Sequence, residues 1–115
     1  MQVPINATAT FYEDTSSIGS LCAIECSEER FLLVKVKWGA EEDFERSRDG
    51  EVEMTWSVSG EALARLKKIC NNAKTPNDVV QYLHERFAPF EHQAGDELIE
   101  WLEKKSIPYY YDVHY

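Results

Sequence analysis

The feature that constrains this chain most is a change of hydropathy period near its middle. From Ala7 to Val58 apolar residues recur at every second position; from Ser59 to Lys105 they recur every three or four. The first period belongs to strands with one face in a core, the second to amphipathic helices. Four segments read as strands. Ala7 to Tyr12 sets Ala7, Ala9 and Phe11 against Thr8, Thr10 and Tyr12, and Leu21 to Cys26 is a second short strand. Phe31 to Trp38 sets Leu32, Val34, Val36 and Trp38 against Leu33, Lys35 and Lys37. Val52 to Val58 sets Val52, Met54, Trp56 and Val58 against Glu53, Thr55 and Ser57. Such alternation predicts antiparallel pairing with one wet face. It also predicts Lys35 and Lys37 opposite Glu51 and Glu53 across a strand pair.

The helical half has its own punctuation. Ser59-Gly60-Glu61 opens a helix to about Ala73 with Leu63, Leu66, Ile69 and Cys70 on one stripe. Thr75-Pro76-Asn77-Asp78 is a strong start signal: Thr75 caps, Pro76 fills the first turn, and Asp78 favours the positive helix end. Val79, Val80, Leu83 and Phe87 mark its buried side, and Pro89 is expected to stop it. A third helix is expected from Gly95 or Asp96 to Lys105, and Pro108 forbids its continuation. Tyr109 to Tyr115 alternates again and reads as a final strand. Strands followed by helices predict an α+β domain: an antiparallel sheet of four to five strands with three helices packed on one face. Strands occupy about 7–58, helices about 60–105 and the final strand about 109–115. With 115 residues, the expectation is a single domain over 1–115.

Charge excludes some functions. Twelve basic against 21 acidic residues leave a formal net charge of −9, the wrong sign for direct nucleic-acid binding or for an anionic membrane. No apolar run approaches the ~18 residues of a membrane-spanning helix. Met1-Gln2-Val3-Pro4-Ile5-Asn6 has neither the basic nor the apolar region of a secretory signal. Cys22, Cys26 and Cys70 are odd in number and loosely spaced, a poor disulfide framework, so a reduced, cytoplasmic setting is expected.

Two stretches stand out as candidate sites. Between Glu41 and Glu53 lie seven acids (Glu41, Glu42, Asp43, Glu45, Asp49, Glu51, Glu53) and two bases, Arg46 and Arg48, with Phe44 among them. An acidic hairpin tip of this kind steers a basic partner, and Phe44 can anchor it. At the other end, Tyr109, Tyr110 and Tyr111 offer rigid contact area with polar tips.

Catalytic and cofactor chemistry finds less support. Aligning Gly50 with the sixth position of a calcium loop puts Trp56 where the closing Glu belongs, so that motif is rejected. His84, His92 and His114 share no metal-ligand spacing. The glycines at 19, 39, 50, 60 and 95 never cluster into a phosphate cradle, and no nucleophile elbow occurs. No cofactor or metal is expected. The pattern points to a non-enzymatic acidic module that occludes a basic surface of a partner protein, itself a nucleic-acid-binding protein. Inhibitors of the toxin-immunity or phage anti-defence type fit that description. The alternative is a small enzyme or ligand-binding domain with a pocket between sheet and helices lined by Trp38, Trp56, Tyr109 and Tyr111. A homodimer through the exposed edge of the final strand is a third expectation.

Overall fold

A computed structural model describes residues 7–46 and 50–115. Five strands form one antiparallel sheet in sequential order: β1 (Ala7–Asp14), β2 (Gly19–Cys26), β3 (Arg30–Trp38), β4 (Glu51–Ser59) and β5 (Tyr110–His114). A short helix, α1 (Glu41–Arg46), stands between β3 and β4. Between β4 and β5 the chain forms α2 (Gly60–Ile69), α3 (Pro76–Phe87) and α4 (Ala94–Lys104). The class is therefore α+β, with α2, α3 and α4 on one side of the sheet.

The expectation of three separate helices is corrected. Helical residues continue without a break from Pro76 to Lys104, because a 3-10 segment (Ala88–Gln93) joins α3 to α4. After β4 there are thus two helical bodies: α2, and a long run bent at Glu91, whose φ of 53° leaves helical space. The α-helix α3 ends at Phe87, just before Pro89, as expected, and the chain goes on as a 3-10 turn. Pro89 falls in the first turn of the 3-10 segment, where a missing N–H costs nothing. The start of α3 follows its sequence signal. Thr75 Oγ1 accepts from the Asp78 N–H at 3.1 Å, and Asp78 Oδ2 accepts from the Thr75 N–H at 3.2 Å. That reciprocal pair is a capping box. At the end of α2, Asn71 (φ 60°) and Asn72 (φ 55°) take left-handed conformations that asparagine tolerates.

Register decides what each face carries. Cys26 pairs with Phe31 and Phe31 with Val58; Ile24 pairs with Leu33 and Leu33 with Trp56. These rows face the helices. Cys22, Ile24, Phe31, Leu33 and Val58 are buried there against Leu66, Leu83, Leu98 and Leu102. The expected burial of Leu32, Val34, Val36 and Trp38 is thereby overturned: they occupy the opposite face and are only half-buried. The lysine–glutamate pairing fails for the same reason. Lys35 pairs with Met54 and Lys37 with Val52, whereas Glu53 pairs with Val36 and Glu51 with Trp38. The lysines and the glutamates lie on opposite sides of the sheet. In β1, Thr10 pairs with Ala23 and Tyr12 with Cys22, so Phe11 is an unpaired bulge residue. The bulge brings Phe11 and Tyr12 to the same side: Phe11 stacks on His84 of α3, and Tyr12 meets His92 edge-on.

Candidate functional site

The acidic stretch begins as a helix rather than a loop. The Gly39 N–H donates to the Gly50 carbonyl at 3.0 Å, closing the base of the connection, and the Phe44 N–H reaches the Ala40 carbonyl at 3.3 Å. Gly50 has φ +67°, and a Cβ on it would lie 2.5 Å from Phe44 Cε1. Only glycine lets the ring lie this close to the backbone. Phe44 is still 58% exposed, and Glu41 and Glu45 are exposed beside it at helical spacing. Glu51 is exposed where β4 begins, and Glu53 is half-buried. The side chains of Glu42 and Asp43, and all of Asp49, lie outside the described residues.

The tyrosines do not form one patch. The Tyr109 hydroxyl donates to Glu103 at 2.6 Å, and this bond to a carboxylate raises the tyrosine pKa. Tyr111 packs on the helix side against Trp56, with ring centroids 4.9 Å apart. Tyr110 pairs with Ser57 on the other face and is 68% exposed. Ser57 lies six residues along β4 from Glu51, about 20 Å at the rise of a strand. Tyr110 and the acidic tip therefore stand at opposite ends of the same strand.

The region that sequence reasoning missed is the helix-free side of the sheet. Three rows cross it. One runs Glu13, Leu21, Val36, Glu53, His114; the next runs Thr10, Ala23, Val34, Thr55, Asp112; the third runs Thr8, Glu25, Leu32, Ser57, Tyr110. Beyond them Gly19 pairs with Trp38, and Trp38 with Glu51. The Trp38 indole N–H donates to the Ser16 carbonyl at 2.8 Å, which fixes the ring against the β1–β2 turn. Arg30 stands at the far end of β3 from Trp38. The signal was present in the alternation of β3, and it was assigned to the wrong side.

Titratable groups on the helix side are structural. Lys35 passes under α4 to the Asp96 carboxylate, with its ammonium 5.6 Å from the Trp56 ring. Cys22, Cys26 and Cys70 are buried and free. Burial pushes Cys22 and Cys26 up to about 11 and Cys70 up to about 12, which makes them poor nucleophiles. His84 Nε2 lies 3.0 Å from the Thr10 carbonyl; on the helix-free side, where His114 pairs with Glu53 and Asp112 with Thr55, His114 Nε2 lies 2.9 Å from Asp112. Among the described residues no three His, Cys, Asp or Glu side chains converge on a point that could hold a metal ion. No helix among them is long and apolar enough to cross a membrane.

The expected aromatic pocket is not formed, since Trp38 lies on the opposite face from Trp56 and Tyr111. Two surface grooves of about 340 and 350 Å³ exist instead, both lined by the helical half. The first is polar, between Cys70–Lys74 and Tyr82; the second runs past Arg86, Phe90, Trp101 and Lys104. Comparison of the chain with known protein families, with curated proteins and with solved structures returns no match in any of the three.

Proposed function

We propose that this chain is a small acidic protein-binding module, an inhibitor that covers a basic, nucleic-acid-binding surface of its target. The observation that carries this reading is Phe44, a large apolar ring 58% exposed on the same short helix as the exposed carboxylates Glu41 and Glu45. Charge of one sign around an exposed aromatic steers a partner of the other sign and then anchors it. An immunity or anti-defence role is the biological form such an inhibitor takes. The test is capture from the native host at low salt, followed by titration of the captured protein's nucleic-acid activity with this chain. Inhibition near one equivalent is expected, weakened by Phe44→Ala and abolished by Glu41→Lys with Glu45→Lys. Association indifferent to ionic strength, or capture without inhibition, overturns the reading.

A further inference from the structure

We infer that the helix-free face of the sheet is the seat of a basic amphipathic helix belonging to the partner protein. The inference rests on the binding-module reading and gives it a location. Leu21 and Ala23 of β2, with Leu32, Val34, Val36 and Trp38 of β3, form a half-buried apolar track on the face opposite α2, α3 and α4, the described helices that pack on the sheet. From Leu32 to Trp38 the track is about 20 Å long at ~3.3 Å per residue. That is the length of roughly 13 helical residues at ~1.5 Å each. Two strands at ~4.8 Å spacing, with their side chains, give a width of about 10 Å, close to the diameter of a helix.

Charge selects the occupant. Glu13 flanks the track on the β1 side, and Glu51 and Glu53 flank it on the β4 side. The strand lysines face the other way, toward the helices. A helix with an apolar stripe between Lys or Arg flanks meets both features at once. A second copy of this chain would instead set Glu13, Glu51 and Glu53 against their own like charges, which costs free energy. The Trp38 end of the track adjoins α1, because β3 runs into that helix and Gly39 bonds to Gly50 beside it.

The probe is an 18-residue Leu/Lys amphipathic peptide, with a Leu/Glu peptide of the same pattern as control, added to the isotope-labelled full chain. The Leu/Lys peptide is expected to shift the amides of Leu21, Ala23, Val34 and Val36, and Glu61→Gln, on the exposed first turn of α2, is expected to leave that map in place. Val34→Asp should weaken binding about tenfold; Val34→Thr, which keeps the β-branched shape if the aspartate fails to fold, about fourfold. Shifts confined to α1 or β5, equal binding of the Leu/Glu peptide, or no binding overturn the inference. So does a dimer by light scattering that Val34→Asp dissolves. The reading of the chain as an inhibitor is judged separately, by the titration against its captured target, and survives a peptide that maps only to α1.

Discussion

The Lys35 ammonium, in the middle of β3, is held by the Asp96 carboxylate in the first turn of α4. The two partners are unequal: the lysine side chain is 17% exposed and the aspartate 73%. Asp96 gives up little hydration, whereas Lys35 has surrendered most of its own and relies on that carboxylate and the Trp56 face. Asp96→Ala, which strands the ammonium, is expected to cost about 1–2 kcal/mol. Lys35→Met keeps the stem against Trp56 and is expected to cost less. Urea midpoints compare the two, and a larger loss in Lys35→Met would show that the charge itself, rather than the stem, stabilises this contact.

Gly95 sets how closely α4 approaches the sheet. A Cβ there would lie 2.6 Å from Lys35 Cε and 3.0 Å from Cys22 Sγ. The lysine end can swing aside, but the buried thiol has nowhere to go. Gly95→Val is expected to destabilise by about 2–3 kcal/mol through overpacking. Gly95→Ala should cost far less, since alanine recovers up to ~1 kcal/mol of helix propensity. Denaturant unfolding of both variants tests this.

Acid sensitivity is expected from two aspartates. Asp78 accepts from the Lys74 and Thr75 N–H groups, and Asp14 from the Ser16 hydroxyl and N–H; these bonds hold both carboxyls below the usual 3.8. A carboxyl with a depressed folded pKa contributes stability above its unfolded pKa and loses it as pH falls through the folded value. The urea midpoint should therefore drop between about pH 5 and about pH 2, and Asp14→Asn with Asp78→Asn should flatten that limb. An unchanged slope in the double variant would assign acid unfolding to other groups.

The three thiols should resist modification in the native state. With Cys22 and Cys26 at about 11 and Cys70 at about 12, thiolate is scarce near neutral pH and access is blocked by burial. A chromogenic disulfide reagent is expected to find no reactive thiol in the folded chain and three after guanidinium unfolding. Prompt native labelling would show that the core opens locally.

How much of this was legible in the sequence varied with how many answers a pattern allowed. The α3 start was readable because Thr75, Pro76 and Asp78 each point to the same capping geometry. The strand at Tyr110–His114 was readable for its alternation and for the proline before it. The inward face of β3 was not: Phe31 and Leu33 on one side and Leu32, Val34 and Val36 on the other are equally apolar, so period two gave no sign. Lys35 tipped the reading the wrong way, because its partner Asp96 lies 61 residues later. Tyr12 was misplaced by the bulge at Phe11, which shifts the alternation by one residue. At the candidate site, composition located the carboxylates around Phe44 but could not foresee the helix α1, which is only six residues long. The division of Tyr110 from Tyr111 followed from the pleat, while their distance from α1 required the β4–β5 register.

The turning of Lys35 and Lys37 toward the helices makes the molecule electrically two-sided. Residues 60–105 hold eight acidic and seven basic side chains, and the remainder holds thirteen and five. Nearly all of the excess negative charge thus belongs to the part of the sequence that carries the strands and α1, not to the part that carries α2, α3 and α4. A charge separation of this kind gives the molecule a dipole. A polycation arriving within a Debye length of about 8 Å exerts a torque that rotates it sheet-first. Orientation would then precede collision, and fewer encounters would be wasted on the near-neutral back.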